Sequence, residues 1–282
     1  VARRIAKKIL VLASGAPVVR IEPTDGSSSA NTSAYMNKRG DLLLFNVRNA
    51  SVTRVFPSDD LVKTYLENRD TVARYLPIPQ TLRVGDRVVS EVLVSGKNGF
   101  SVGTESKLLL WRKFLAAYED LSTAATNDAG LIIAELRAEI SELQPHHGPL
   151  QSTEKMLSTL NSSWRTFAMH GDLSGNNVVV DGNSFVVIDY DDVARHPFFF
   201  DVILFTLRDD VLRSMLRRGM FDEDLKRLAD AAGADFSSDH LQSWINYVVL
   251  RLAADRCRAT FEELESALKA TRERLVPNDP GL

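Results

Sequence analysis

Cysteine is nearly absent: Cys257 is the single thiol among 282 residues, so no internal disulfide can form, and no cysteine and histidine spacing marks a structural zinc site. A disulfide-stapled scaffold is excluded, and a reducing, cytoplasmic setting is expected. Long apolar runs are missing too. Nowhere do about 18 apolar residues follow one another, so no membrane-spanning helix is expected. Near the start, Arg3-Arg4 and Lys7-Lys8 precede an apolar run, Ile9 to Ala13, that is shorter than the roughly seven residues of a secretory core, so no leader is expected. Positive charge is not in excess: Lys and Arg number 34 against 37 Asp and Glu, a formal charge of −3, which provides no field for a nucleic-acid backbone. No nucleic-acid partner is expected. Internal repeats and low-complexity tracts are absent, and no Gly-x-x-x-x-Gly-Lys-Ser/Thr loop occurs, which excludes a P-loop enzyme.

What is present is ordinary for a chain with a core: 44% hydrophobic and 25% charged residues. The first hundred residues read as β-rich, with strands expected at Val18–Ile21, Leu42–Val47, Val52–Phe56 and Val88–Val94. Turns are expected at Lys38-Arg39-Gly40-Asp41 and Arg48-Asn49-Ala50-Ser51. One helix interrupts them: Ser58-Asp59-Asp60 supplies cap chemistry ahead of Leu61, Tyr65, Val72 and Tyr75, and Pro77 and Pro79 close the segment. After Gly96-Lys97-Asn98-Gly99 the pattern turns helical. Leu108, Trp111, Leu115 and Tyr118 recur at helical spacing, as do Ile133, Leu136, Ile140 and Leu143. His146 and His147 sit in a Pro- and Gly-flanked breaker with no third ligand near, which favours a solvated turn over a metal site. Strand returns briefly between Arg165 and Ile188, and helices are expected at 201–217, 222–231, 238–256 and 260–275. The expected organisation is α+β, with a β-rich lobe over residues 1–96 and a mainly helical lobe over 97–282.

The chemistry concentrates in His170-Gly171-Asp172-Leu173-Ser174-Gly175-Asn176-Asn177 and Val186-Val187-Ile188-Asp189-Tyr190-Asp191-Asp192. Between them, Val178-Val179-Val180, a turn at Asp181-Gly182-Asn183 and a return through Ser184 to Ile188 read as a hairpin. Such a hairpin carries Asn177 at one end and Asp189 at the other, bringing an amide oxygen and a carboxylate together as a clamp for Mg²⁺, a cation that prefers oxygen ligands. Phosphoryl transfer needs phosphates neutralised by such a metal and an attacking hydroxyl held in line. Asp172, five residues before Asn177, is placed to accept that hydroxyl's proton. His170 braces the loop by hydrogen bonds, and Gly171 and Gly175 permit tight backbone turns.

This constellation resembles the aminoglycoside phosphotransferases, with choline kinase and related small-molecule kinases, which share the two-lobed protein-kinase-like fold. The residues that carry the resemblance are His170, Gly171, Asp172, Leu173, Asn177, Ile188 and Asp189. Pro197 and Asp201 look like the family's following Pro and Asp, although the spacing is one residue longer, and Asp201 is then implied to tie the catalytic loop to the helical lobe. The resemblance also implies a strand lysine that reaches nucleotide phosphates and pairs with a helix glutamate. Here Arg54 stands on the corresponding strand, with Glu67 as its expected partner, although a guanidinium is not the geometric equivalent of an ammonium, and an exposed edge-strand arginine with a solvated glutamate stands as the alternative.

The loop Asp25 to Asn31, with the hydroxyls of Ser27 and Ser28, is expected to cover the triphosphate, although it lacks repeated glycines and reads equally well as a plain surface linker. Backbone groups of Glu91 to Val94, with Val92 and Val94 as the adenine contacts, are expected to receive the base, with Gly96 following at the lobe junction. Asp191 and Asp192, beside Asp189, stand open as attractors of a cationic substrate, as acids that tune the metal, or as solvent-facing acids. Trp244, Asn246 and Tyr247 read as a helix-packing face in preference to acceptor contacts, and His196 to Phe200 as a packed helix entrance. The expected activity is transfer of the γ-phosphate of ATP or GTP to a hydroxyl of an aminoglycoside, amino alcohol or sugar. A non-catalytic nucleotide-binding scaffold and a nucleotidyl transferase on the same fold stand as alternatives.

Overall fold

The computed structural model describes residues 19–20, 32–37, 40–122, 129–142 and 151–256. The chain divides into two compact units, Val1–Val102 with Asn176–Asp191, and Gly103–Gly175 with Asp192–Leu282.

The first unit is built on an antiparallel sheet of six strands: β1 (Val19–Arg20), β2 (Thr32–Met36), β3 (Leu42–Asn46), β4 (Ser51–Val55), β5 (Thr81–Gly85) and β6 (Val88–Val92), in the order β1-β2-β3-β4-β6-β5. The turns at Gly40 (φ 86°) and Ala50 (φ 45°) have left-handed backbone, which lets the chain reverse tightly on both sides of β3. Helix α1 (Asp59–Val72) follows β4, with Asp59 and Asp60 in its first turn, where carboxylates favour the helix dipole. Val62, Tyr65 and Val72 form its buried stripe. Strands β2 and β5 were outside the expected set. In the edge strand β5, Leu82 and Val84 are exposed together with Arg83, so the strand has no buried face to mark it by alternation.

A second, three-stranded sheet belongs to the same unit: β7 (Lys97–Asn98), β9 (Val178–Asp181) and β10 (Ser184–Val187), in the order β10-β9-β7. Here the expected hairpin forms. Ser184 faces Asp181 and Val187 faces Val178, so the loop is the two residues Gly182-Asn183, with Gly182 at φ 56°. Gly96 has a specific reason to lack a side chain, since a Cβ there would stand 2.5 Å from the Val180 carbonyl oxygen.

The second unit is mainly helical: α2 (Thr104–Ser122), α3 (Ala129–Glu142), α4 (Gln151–Ser158), α5 (Phe200–Arg208), α6 (Asp210–Arg217), α7 (Asp222–Ala231) and α8 (Ser238–Arg256). Strands β8 (Thr166–Met169) and β11 (Ala194–Pro197) pair antiparallel within it. Its core is aromatic: Trp244 stacks on Phe199 at 4.8 Å between ring centroids, and Phe198, Trp164 and Tyr247 meet that pair edge-on. Trp244 and Tyr247 are buried, and the amide of Asn246 is bonded to Thr159, so this stretch of α8 is a packing face.

The single helix expected over 201–217 is two helices. Asp209 is extended (φ −109°, ψ 123°), and its carboxylate accepts the amides of Val211 and Leu212 at 3.0 and 3.1 Å, which starts a new helix where apolar periodicity alone reads straight through. The expected helix 260–275, Cys257, and His146 with His147 lie outside the described residues. Among the described residues, no helix is long and apolar enough to cross a membrane.

Candidate functional site

In the second unit, β8 runs into His170, and the loop that follows is fixed from beneath by Asp201. This aspartate sits in the first turn of α5, wholly buried. One carboxylate oxygen accepts the His170 amide at 2.8 Å and the Tyr118 hydroxyl at 2.6 Å, and the other accepts the Gly171 amide at 3.0 Å. Burial raises the Asp201 pKa, while His170, the Tyr118 hydroxyl and the two amides pull it back toward the ionised form. The role implied for Asp201 is therefore visible as three hydrogen bonds. Gly171 has φ 81°, and a Cβ there would lie 2.0 Å from the Asp192 carbonyl oxygen, so glycine is obligatory. Nδ1 of the buried His170 accepts the amide of Asp172 at 3.3 Å, the bracing role expected of it.

The side chain of Asp172 has a partner that was not anticipated: Nη1 of Arg208 donates to its carboxylate. Arg208 is in the last turn of α5, seven residues after Asp201 and so on the same helix face. One helix thus holds the loop's backbone with its first turn and the loop's carboxylate with its last. The end of that helix is itself anchored, because Lys107 pairs with Asp209 at 2.6 Å and Arg213 donates to the Leu207 carbonyl at 2.8 Å.

In the first unit, the hairpin closes at the Val178–Val187 pair, and the Ile188 amide then donates to the Asn177 carbonyl at 2.9 Å. Asn177 and Asp189 therefore share one end of the hairpin. Asp189 has φ 66°, a left-handed conformation that costs a non-glycine residue about 1–3 kcal/mol and persists where its surroundings enforce it. Their amide and carboxylate are hard oxygen donors of the type magnesium takes. Among the described residues no group of three or more His, Cys, Asp or Glu side chains is arranged to hold a metal ion.

Arg54 departs from its expected pairing. Its Nε donates to Asp41 at 2.9 Å, its Nη2 also reaches Asp41, and the same Nη2 donates to Asp191 at 2.5 Å. Its Cζ lies 4.9 Å from the Phe56 ring centroid and 4.7 Å from that of Tyr65. Burial works against the charge, but Asp191 and Asp41 outweigh it and push the guanidinium pKa further up. Glu67 is instead 65% exposed and stands 3.8 Å from Lys63. The reason is helical phase: α1 turns Tyr65 toward Arg54, and two residues on the chain has rotated by about 200°. Asp191, taken up by Arg54, is likewise not an open acid awaiting a cationic substrate.

The adenine-receiving stretch is also partly committed. β6 lies between β4 and β5, and the Val92 amide donates to Gln80 and the Leu93 amide to Ala50, at 2.9 and 2.7 Å. Of the two expected contacts, Val94 lies beyond the strand, whereas the amide of Val92 is used by the sheet. Ser27 and Ser28, in the expected covering loop, lie outside the described residues.

Asp41, Asn68, Tyr118 and Arg208 are the contributors that sequence reasoning missed. Two had a signal: an arginine on a strand flanking the core demands a carboxylate, which Asp41 offers just before β3, and Arg208 shares a helix face with Asp201.

A family model described as the phosphotransferase enzyme family matches residues 101–241. No curated protein matches the chain. Among solved structures, the GDP and kanamycin complex of APH(2")-IIia aligns with a TM-score of 0.56 at 14% identity, covering 97% of this chain and 99% of that one. The GDP complex of wild-type aminoglycoside 2'-phosphotransferase-IIIa gives 0.55 at 16% identity and 99% of both chains. The macrolide 2'-phosphotransferase MphH from Brachybacterium faecium, as apoenzyme, gives 0.55 at 12% identity, with 98% of this chain and 99% of that one covered. These likenesses show the fold, which is the protein-kinase-like one expected.

Proposed function

We propose, from the premise that this chain belongs to the phosphotransferase enzyme family, that it moves the terminal phosphoryl group of ATP or GTP to a hydroxyl of a small molecule, an aminoglycoside, amino alcohol or sugar. The observation that carries the reading is the hairpin end where Asn177 and Asp189 stand together, with Asp172 only five residues before Asn177 along the chain. The names of two structural neighbours include GDP, and one includes kanamycin, which supports a nucleotide donor and an amino-sugar class of acceptor.

Asp172 orients the acceptor hydroxyl and takes its proton as the oxygen attacks the terminal phosphorus. A new phosphorus–oxygen bond forms, the bridging bond breaks, and the nucleoside diphosphate leaves with the electron pair. Arg208 holds the Asp172 carboxylate in one orientation, and Asp201, through the His170 and Gly171 amides, holds the backbone beneath it. Asn177 and Asp189 would hold Mg²⁺, whose contribution when bound is to neutralise charge on the phosphate oxygens. Val94 is left to meet the base with its backbone, and Ser27 and Ser28 to meet the phosphates.

The test is mass spectrometry of a panel of aminoglycosides, amino alcohols and sugars after incubation with the protein, Mg²⁺ and ATP or GTP, with Asp172→Ala as blank. A phosphate adduct that the blank lacks is expected. A nucleotide adduct, or nucleotide binding without turnover on any acceptor, replaces this reading with one of its alternatives.

A further inference from the structure

We propose that Arg54 is a positioning residue for Asp189, acting through Asp191, and not a contact to nucleotide phosphates. The proposal rests on the reading of Asn177 and Asp189 as a cation-holding pair. Asp189 occupies left-handed backbone without being glycine, and such a conformation persists only where the chain on both sides leaves no alternative. Before it, the Val187 amide is fixed on the Pro77 carbonyl and the Ile188 amide on the Asn177 carbonyl, at 2.8 and 2.9 Å. After it, the Tyr190 carbonyl accepts from Asn68 at 2.9 Å, and the Tyr190 hydroxyl donates back to the Val187 carbonyl at 2.7 Å. The last of these fixings is Asp191, held by Arg54.

Arg54 can serve as that anchor because it is itself immobilised. Its side chain is 6% exposed, two of its nitrogens engage Asp41, and Asp41 in turn accepts from the Asn37 amide group at 2.8 Å. The planar guanidinium lies against Phe56 and Tyr65, a fit that a lysine ammonium cannot reproduce while also bridging two carboxylates. With Nε and Nη2 of its guanidinium committed to two aspartates, Arg54 acts on the reaction through the backbone of 189–191. Residues that orient a metal ligand from behind change metal affinity without touching the metal.

The experiment measures Mn²⁺ binding to the full chain in the presence of ADP by electron paramagnetic resonance, and ADP binding separately in metal-free buffer. Asp191→Asn, which leaves the Arg54–Asp41 pairing in place and therefore the fold, is expected to weaken Mn²⁺ binding about tenfold. Arg54→Lys is expected to weaken it by a similar factor, and the double variant no further, since both cut one path. Metal-free ADP affinity stays at the wild-type value in all three. Wild-type Mn²⁺ affinity in Asp191→Asn, or a loss of metal-free ADP affinity in Arg54→Lys, overturns the proposal. Asp189→Ala separates the two levels: loss of Mn²⁺ there with normal binding in Asp191→Asn defeats the positioning role alone. Unchanged Mn²⁺ binding in Asp189→Ala defeats the cation-holding reading on which it stands.

Discussion

The Asp41–Arg54–Asp191 cluster of the sheet-rich unit and the Asp172–Arg208 pair of the helical unit both place an arginine on an aspartate next to a candidate site residue, but in different surroundings. Arg54 is enclosed, with two carboxylates and two aromatic rings around it. The Asp172–Arg208 pair is less enclosed, with side chains 33% and 13% exposed, and Arg208 approaches from one helix end. An ion pair removed from water is destabilising once one partner is lost, because the other charge stays buried, and the cost falls as the remaining charge gains access to water, as the half-buried Asp172 has. Changes at Arg54 should register in stability, and changes at Arg208 in turnover.

The comparison breaks most visibly at the ends of its chemistry. Replacing Asp172 or Asp189 by Ala is expected to lower phosphoryl transfer by about 100- to 10,000-fold with thermal unfolding unchanged, as read from steady-state rates and circular dichroism melts. Near-wild-type activity in either variant removes that residue from the mechanism. Next in size is Arg54→Met, which leaves Asp41 and Asp191 facing each other without their shared cation. A loss of about 3–5 kcal/mol in urea unfolding is expected, and a loss below ~1 kcal/mol makes this cluster no different from a surface pair.

The helical unit carries a sensitivity of its own, at His196. Burial, reinforced by Arg251, pushes its pKa down from 6.5 to about 3, and the ring is stacked on Phe200 with Tyr247 at 3.5 Å from Nδ1. Between those two pH values the unfolded chain binds a proton that the native chain does not. The stability contribution is thus complete above pH 6.5 and lost as pH falls toward 3. At pH 5 the loss is on the order of 2 kcal/mol, and His196→Asn should show that much less acid destabilisation in urea titrations at pH 7 and 5. Smallest is Arg208→Ala, for which a fall in kcat of about tenfold is expected, with nucleotide KM and melting temperature held and partial recovery in Arg208→Lys. A shift in melting temperature as large as that of Arg54→Met erases the distinction between the units.

The two regions also differ in how much of them could be read from residues alone. The hairpin from Asn177 to Asp189 was legible because a run of valines, a Gly-containing turn and a second apolar run admit one simple pairing. Helix α7 was legible at both ends and α8 at its start, since Asp222 and Ser238 open apolar stripes of the right period. The break at Asp209 was not, because an aspartate in an amphipathic run looks the same whether it faces water or caps the next helix. The Arg54–Glu67 pairing failed for a related reason: choosing Glu67 needed the rotational phase of α1, and the phase that buries Val62, Tyr65 and Val72 turns Glu67 away. Asp41 was read as part of a turn, which it is, but its buried carboxylate is a long-range fact that local pattern does not carry. Residue types and spacings thus marked the chemistry, and tertiary pairing chose the partners.

The most direct test supplies the protein with Mg²⁺ and ATP or, separately, GTP labelled with ¹⁸O in the γ-phosphate, together with the acceptor panel, and weighs the products. The account predicts acceptor carrying the labelled phosphoryl group from the wild type and none from Asp172→Ala. Label retained entirely in nucleotide and inorganic phosphate, or transferred equally well by the variant, would contradict it.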